Sequence, residues 1–385
     1  MECSKKQTSI EYDLDSFRSL KIKKPDETIK NKIARRWDDI AKPLDGLGDF
    51  EEVLSRIGAI GGSDEINLSK RALIIMCADN GIVKEGVSQS GFEVTLSVAK
   101  NMLNGKSSVA VMAEKNNIDM MVVDVGINSD EELKGALNYK INKGTKDFLL
   151  SDAMSEEETL EAVNVGINLV KECKKNGYDI ILTGEMGIGN TTTSTAVAAS
   201  ILAGEKTLFC DKKGYAHKEI KNIDLFVEKI TGRGAGLDDE KLANKKRVIL
   251  EAIRKKSLLN ADVFKILSAV GGFDTAALSG VCIGGAIYGI PIVLDGAITL
   301  TAALVAEGLC PGVKDYLFAS HRGKEPVSGI IAQSLSLKPA IDANMALGEG
   351  TGAVMMMSLL DDALCIYKNA ARFSEISVEN YKRNS

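Results

Sequence analysis

The sequence predicts an α/β protein in which helices flank a parallel β-sheet, and two features lead to this prediction. From about residue 70, short apolar segments that suit buried strands alternate with segments of small residues that suit helices, as in βαβ units. Residues 1–69 are instead charged and helix-patterned, and residues 350–385 contain an amphipathic helix that can pack on them. We therefore expect an α/β core over residues 70–349 and a small helical domain formed by residues 1–69 with residues 350–385.

Composition indicates a protein that binds small molecules. The chain has 385 residues, of which 45% are hydrophobic and 26% charged, so it is long enough for one large domain and a smaller one. Its net charge of −5 provides no basic field for wrapping nucleic acid. We expect small-molecule substrates as partners, and no nucleic acid.

Cysteine and histidine usage narrows the chemistry. The seven cysteines are scattered and form no CxxC pair, which suits the reduced thiols of a cytosol. The first residues, MECSKKQTSIEYDLDSF, lack the apolar region of a signal peptide, so we expect a cytoplasmic protein. Because His217 and His321 are the only histidines, a His-rich zinc site is excluded and acid–base work falls to carboxylates.

One uncharged segment is long enough to cross a bilayer. Residues 275–294, TAALSGVCIGGAIYGIPIVL, contain no charge over twenty positions. Four glycines and Pro291 interrupt this run, and no positive cluster flanks it. It is better explained by a packed helix over about 274–287 followed by a short strand, and we expect no contact with a membrane.

Four predicted strands end in an acid that is followed closely by glycine. They read RALIIMCADNG, DMMVVDVGI, YDIILTGEMG and GIPIVLDG, and the acids are Asp79, Asp124, Glu185 and Asp295. In a parallel sheet the carboxyl ends meet at one edge, where open α/β folds bind ligands. Any single acid is better explained as a turn former or a helix cap. Four together favour a binding site.

The third of these strands leads into a glycine-rich loop, LTGEMGIGNTTTSTA, at residues 182–196. Gly187 and Gly189 allow close approach of a phosphate, and Asn190 with Thr191 adds neutral donors at the start of a predicted helix. The loop is neither a Walker motif nor a GxGxxG fingerprint. A tight turn with capping threonines explains the pattern about equally well.

A second glycine-flanked acid, Glu349, stands in MALGEGTGAVMMMSLL just before the last predicted helix. The flanking glycines remove steric cover from its side chain. A carboxylate in a poorly solvated pocket has a raised pKa and can act as a base near neutral pH. The alternative is an acid that only stabilises the helix N-terminus.

These motifs together resemble the nicotinate-nucleotide:dimethylbenzimidazole phosphoribosyltransferase family, which activates the lower ligand of cobalamin. The resemblance runs from about residue 35 to about residue 375. The motifs that carry it are ADNGIVKEGVS, VVDVGI, GEMGIGNTTTSTA, TGRGAGLDDEKLANK, VGGFDTAALSGVCIGGA, PIVLDGAITLTAAL, SHRGKEP and LGEGTGA. It implies a Rossmann-like parallel sheet with a small helical domain, a homodimer, and no metal or cofactor.

The implied reaction transfers ribose 5-phosphate from nicotinate mononucleotide to a benzimidazole nitrogen, with inversion at the anomeric carbon. The resemblance makes Glu349 the catalytic base, and Glu185 the second catalytic acid, beside the ribose. Carboxylates there stabilise the developing oxocarbenium ion. The candidate substrate-binding residues are Ser88, Phe92, Met186, Gly187, Ile188, Gly189, Asn190, Thr191, Lys245, Asp274, Asp295, His321 and Leu347.

The chain departs from the family pattern in three places. Where relatives often read GVSxYPxEVT, this chain reads GVSQSGFEVT. Where they read HRSAEPGH, it reads HRGKEPVSG, and where they have an arginine before LGEG, it has Ala346. These differences lie near the base and phosphate positions. The acceptor therefore stays open between 5,6-dimethylbenzimidazole, another benzimidazole, a purine and a phenol.

Other residues and functions were weighed against this interpretation. Arg233, His321 and Arg322 are candidate anion contacts, with a surface turn or a helix end as the alternative. Asp274 is also explained as a cap of the following helix. A kinase that uses the glycine loop for ATP would need a lysine at the transferring phosphate, which GEMGIGN does not supply. A nucleotide-binding regulator without catalysis is the third possibility.

Overall fold

The computed structural model describes residue 8, residues 10–203 and residues 222–383. Cys3, Cys210 and His217 lie outside the described residues. The helices are α1 Leu14–Ser19, α2 Glu27–Asp39, α3 Asp49–Gly61, α4 Glu93–Leu103, α5 Ser108–Lys115, α6 Glu156–Lys175, α7 Asn190–Leu202, α8 Ile223–Ile230, α9 Asp239–Lys255, α10 Val263–Val270, α11 Phe273–Tyr288, α12 Ala297–Leu309, α13 Pro326–Ser334 and α14 Thr351–Asn369. The strands are β1 Arg71–Ala78, β2 Ile118–Gly126, β3 Leu137–Asn138, β4 Ile180–Met186, β5 Ile292–Leu294, β6 Leu317–Ala319, β7 His321–Gly323 and β8 Ile341–Met345.

Six strands form one parallel sheet in the order β3-β2-β1-β4-β5-β6, and β7 pairs with β8 in a second, two-stranded sheet. The four strands that the sequence predicted are all present. Cys77 near the end of β1 lies opposite Asp124 of β2 and Met186 of β4, so these carboxyl ends are level. The chain builds outward from β1 in both directions, and the strand order reverses between β1 and β4, where such sheets form a ligand crevice.

Helices cover both faces of this sheet, as the predicted α/β class requires. Successive residues of β1 point to opposite faces: Ile74 and Met76 join one buried cluster, with α6, α7, α11 and α12, while Ile75 and Cys77 join the other. The helices α6 and α11 pack very closely at Gly166. A Cβ at this position would lie only 1.9 Å from the Ala277 carbonyl oxygen. Glycine is therefore required at that crossing.

The second face of the sheet is covered by α2, α3, α5 and α14. The rings of Trp37 in α2 and Tyr367 in α14 are 5.0 Å apart, so the last helix does return to the N-terminal ones. The segment before α2 lies on the other face, where Asn164 of α6 donates to the Tyr12 carbonyl at 2.8 Å. The division into a core and a small helical domain stays a prediction.

The long uncharged segment folds as the sequence predicted, into the 16-residue helix α11 and the short strand β5. Both are buried within the protein. Within the described part of the chain, no helix has the length and apolar character that a membrane span requires.

Candidate active site

A cavity of about 240 Å³ opens at the carboxyl ends of β4 and β5. The segments after these two strands form its base, and β7, the start of α13 and residues 345–348 form its walls. The candidate residues that border it are Glu185, Met186, Gly187, Ile188, Asn190, Thr191, Asp295, His321 and Leu347. The structure thus brings together residues from 185 to 348, more than 160 positions apart in the sequence.

Glu185 lies at the centre of this group. It precedes the last residue of β4, and the side-chain amide of Asn190, the first residue of α7, donates to its Oε2. Burial, followed by the nearby charges of Asp274 and Asp295, raises the pKa of Glu185 to about 8. In this state of the protein Glu185 is therefore protonated at neutral pH.

Asp295 connects the sheet to the last helix. Its two carboxylate oxygens accept hydrogen bonds from the backbone N–H groups of Gly350 at 3.0 Å and Gly352 at 2.8 Å. Both groups belong to the start of α14, where N–H groups lack helical partners and the helix dipole favours an anion. His321 lies 3.9 Å from Asp295 through Nδ1, which also contacts the Ser320 hydroxyl at 3.0 Å.

Glu349 adopts a left-handed backbone with φ of 62°, between Gly348 at 83° and Gly350 at 98°. Such a conformation is costly for a residue with a side chain and is found most often at functional sites. Burial raises the pKa of its carboxyl, although the Val109 backbone N–H opposes the shift. Its Oε2 is buried without a hydrogen-bond partner among the described residues.

The Glu349 side chain is nevertheless not among those that border the 240 Å³ cavity; its neighbours Leu347 and Gly348 are. Gly348 is close to Glu185, since a Cβ at this position would lie 3.0 Å from Oε1. The backbone of the LGEG segment therefore meets Glu185, while the Glu349 carboxyl lies toward the start of α5 near Val109.

Lys245 is fully buried behind the glycine loop. Its Nζ donates to the Thr191 hydroxyl at 2.9 Å and to the Gly232 carbonyl at 3.2 Å. Burial lowers its pKa to about 8, and the negative charge of Glu325 opposes this shift. Glu325 in turn accepts the Gly234 N–H at 2.9 Å, so the GRGAG and HRGKEP segments meet here.

The four strand-terminal acids do not share one role. Asp124 accepts the N–H groups of Gly126 and Ile127 at 3.1 and 2.9 Å, as a turn-forming acid does. Asp79 is fully buried and accepts the Thr95 hydroxyl at 2.6 Å. The expectation that all four converge is wrong for these two, because local and loop hydrogen bonds occupy their oxygens; Glu185 and Asp295 alone of the four border the cavity.

Thr95 connects Asp79 to the glycine loop. The hydroxyl that donates to Asp79 also accepts the backbone N–H of Ile188 at 3.1 Å. Helix α4, which carries Thr95, therefore fixes the loop that borders the cavity. Burial raises the pKa of Asp79 to about 6, whereas the Thr95 hydroxyl and the Asn128 N–H oppose the shift.

The remaining candidates lie around the cavity rather than in its wall. Gly189 begins α7 with φ of 92°, and Asp274 is buried in the first turn of α11 next to Gly187. Gly272, not Asp274, occupies the N-cap position; Asp274 instead accepts the Thr275 N–H at 2.8 Å from within the first turn. Ser88 and Phe92 are half-buried before and at the start of α4.

The two candidate arginines point elsewhere. Arg233 donates to Asp239 and to the Leu237 carbonyl, which fixes its own loop. Arg322 is largely exposed and lies 3.6 Å from Asp342. Neither side chain borders the cavity.

Thr95, Glu325 and Ser328 are among the residues of this region that the sequence did not predict. Glu325 and Ser328 border the cavity from the first turn of α13. Proline directly after Glu325 is typical of a helix start, which is a signal that could have placed Glu325 at a helix N-terminus. In the ranges 10–203 and 222–383, no group of three or more histidine, cysteine or acidic side chains has the arrangement of a metal site.

Known proteins resemble this chain over nearly its whole length. The family model described as Phosphoribosyltransferase matches residues 22–378. A nicotinate-nucleotide–dimethylbenzimidazole phosphoribosyltransferase of Clostridium perfringens is 39% identical over 349 residues, covering 91% of each chain. The enzyme of the same name from Clostridium acetobutylicum is 39% identical over 357 residues, which cover 93% of this chain and 96% of that one.

A solved structure agrees with these sequence relatives. CobT from Thermus thermophilus superposes with a TM-score of 0.81 at 31% sequence identity, over 92% of this chain and all of that one. The resemblance that the motifs predicted is confirmed, and so is the α/β fold. The chain is a transferase enzyme and belongs to the phosphoribosyltransferase family that the nicotinate-nucleotide–dimethylbenzimidazole enzymes represent.

Proposed function

We propose that this enzyme transfers ribose 5-phosphate from nicotinate mononucleotide to 5,6-dimethylbenzimidazole or a related aromatic base. The products are nicotinate and α-ribazole 5′-phosphate, the nucleotide of the cobalamin lower ligand. The observation that carries this proposal is the meeting of Glu185 with the LGEG segment at the carboxyl ends of β4 and β5. The names of the relatives supply the substrates.

The chemistry requires little proton transfer. The bond between the anomeric carbon and the nicotinate nitrogen breaks, and its electron pair stays on nicotinate, which leaves as a neutral pyridine ring. A ring nitrogen of the acceptor forms the new bond from the opposite side, so the anomeric carbon inverts. The acceptor then carries one surplus proton, and one general base is enough to remove it.

Glu349 is proposed as that base. Burial raises the pKa of its carboxyl toward the working pH, and Oε2 makes no hydrogen bond with the described residues. Its left-handed backbone is the strained geometry that functional positions tolerate. Because the carboxyl lies on the α5 side of the LGEG segment, we propose that the acceptor base approaches from that side, past Ser88 and Phe92.

Glu185 is proposed to face the ribose. Developing positive charge at the anomeric carbon favours ionisation of this carboxyl, whose pKa of about 8 otherwise keeps it protonated. Met186 and Ile188 are proposed to contact the flat ring of the acceptor base. Gly187, Gly189, Asn190 and Thr191 present backbone and side-chain donors to the nucleotide, with Lys245 behind Thr191.

The decisive experiment measures nicotinate release. Purified protein is incubated with nicotinate mononucleotide and 5,6-dimethylbenzimidazole, and free nicotinate is quantified by chromatography. We expect release that depends on the acceptor and needs no ATP. Folded protein that releases no nicotinate with any azole, purine or phenol would falsify the proposal; phosphate transfer from ATP would favour a kinase.

We also propose that the protein is a cytoplasmic homodimer. Met355, Leu359 and Ile366 form an apolar stripe on the exposed side of α14 that Asp362 interrupts, and Val111 is exposed on the adjacent helix α5. These side chains are 36% to 56% exposed, which is unusual for large apolar residues at neighbouring positions. A second copy of the same stripe is the self-complementary surface that a twofold dimer needs.

A further inference from the structure

Ser328 carries a buried hydroxyl that the mechanism above does not use. The residue lies in the first turn of α13, is 2% exposed and borders the 240 Å³ cavity. Its Oγ has no hydrogen-bond partner among the described residues. Leaving a buried hydroxyl unpaired is unfavourable, so such a group at a cavity wall is suited to a ligand atom.

Gly323 faces this hydroxyl. A Cβ on Gly323 would lie 3.0 Å from the Ser328 Oγ. Glycine at position 323 of β7 therefore leaves open the space beside the Ser328 hydroxyl of α13.

A lysine and a helix N-terminus lie beside Ser328 at the cavity wall. Lys324 borders the cavity, and no carboxylate of the described residues lies within ion-pair distance of its Nζ. Glu325 also borders it: its Oε1 accepts the Gly234 N–H, its Oε2 is buried without a hydrogen-bond partner among the described residues, and its negative charge acts on Lys245. The positive end of the α13 dipole lies at the same wall.

We infer that the Ser328 hydroxyl donates a hydrogen bond to a phosphate oxygen of bound ribose 5-phosphate. Lys324 supplies the matching positive charge. This assignment rests on the proposed function, because it concerns how the same cavity holds its nucleotide. It adds a substrate-binding residue outside the glycine loop.

The test compares Ser328→Ala with Ser334→Ala. Ser334 is the matched control, since it lies on the same helix, is equally buried at 2% exposure and donates to the Ile331 carbonyl. Binding of nicotinate mononucleotide and of its dephosphorylated riboside is measured by titration calorimetry without acceptor. We expect Ser328→Ala to weaken nucleotide binding roughly tenfold, as loss of a hydrogen bond to a charged group does, and to leave riboside binding unchanged.

A second variant supplies the hydroxyl from the other side. Gly323→Ser alone should crowd Ser328 and weaken binding of the nucleotide. In the Ser328→Ala background the new serine has room, and we expect it to recover part of the lost affinity. A purely structural role of Ser328 predicts no such recovery. Its absence, unchanged nucleotide binding in Ser328→Ala, or equal weakening of nucleotide and riboside would each overturn the inference.

The two proposals fail in different ways. Wild-type protein that binds the nucleotide but releases no nicotinate with any acceptor contradicts the transfer reaction, while the calorimetry still decides the role of Ser328. Wild-type protein that shows no affinity for the nucleotide contradicts both.

Discussion

The Thr95 hydroxyl donates to the Asp79 carboxylate at 2.6 Å and, through the same oxygen, holds the glycine loop by the N–H of Ile188. Thr95→Val keeps the shape but removes both hydrogen bonds. We expect a loss of about 1 to 3 kcal/mol in unfolding free energy and a higher KM for nicotinate mononucleotide. Urea unfolding and initial rates measure these effects. Thr95→Ser is the control, because serine keeps the hydroxyl that makes both hydrogen bonds. Equal stability of the valine and serine variants would contradict this role.

Glu349→Gln removes the proposed base without changing its size. Turnover should fall roughly a hundredfold or more, the usual contribution of a general base. Calorimetric affinity for nicotinate mononucleotide should stay within about twofold of wild type, because the residue acts on the acceptor. Glu240→Gln, an exposed acid in the first turn of α9, is the control. Unchanged turnover in Glu349→Gln would assign the base to another group.

Glu185 should make stability depend on pH. Its pKa is about 8 in the folded protein and 4.5 as the ordinary value, so between these values the folded state keeps a proton that the unfolded state releases. The contribution of Glu185 to the unfolding free energy is fully present below pH 4.5. It is lost as pH rises toward about 8, by roughly 1 kcal/mol per pH unit.

Glu185→Gln should flatten this dependence. Urea unfolding of wild type and variant between about pH 5 and about pH 8 measures the difference in slope. Glu240→Gln should keep the wild-type slope. Parallel pH profiles for wild type and Glu185→Gln would show that the carboxyl is ionised in the folded protein.

Lys245 should make nucleotide affinity fall as pH rises. Burial lowers its pKa from 10.5 to about 8, so the positive charge behind Thr191 disappears as pH rises through that value. Affinity for nicotinate mononucleotide should therefore fall above about pH 8. The titration is done in the Glu185→Gln background, because Glu185 ionises in the same range. Adding Lys245→Met should remove the pH dependence, and a decline that persists in the methionine variant would exclude Lys245 as its source.

Leu359 tests the proposed dimer. Leu359→Asp places a charge in the centre of the apolar stripe, and we expect monomers by sedimentation equilibrium at concentrations where wild type is dimeric. Leu225→Asp changes an equally large exposed side chain on α8 and should leave the dimer intact. Monomeric wild-type protein would contradict the proposed dimer. A dimer that persists in Leu359→Asp would show that the subunits do not meet through α14.

The strands and the glycine loop were predictable because each is encoded locally. An apolar run such as RALIIMCA, bounded by turn residues, suits an internal strand, and GEMGIGN suits a strand-to-helix turn. The order of elements along the chain also gave the parallel sheet. These predictions needed no knowledge of distant contacts.

The roles of individual polar residues were less predictable, because distant segments decide them. Asp79 and Asp295 look alike in sequence, each after a strand, yet one accepts from Thr95 and the other from the start of α14. Ser328 had no signal of its own, since its position depends on how α13 lies against β7. Which side of the LGEG segment the Glu349 carboxyl occupies is likewise set by packing against α5.

The hydrogen bonds that Asp295 accepts from Gly350 and Gly352 also bear on the order of events in biosynthesis. A ribosome completes β4, the glycine loop and β5 long before it reaches the segment that closes the pocket wall. Until α14 has emerged and docked, Asp295 lacks its two donors, and Glu185 lacks its neighbour at Gly348. The nascent chain should therefore remain unable to hold nucleotide until synthesis has passed residue 369.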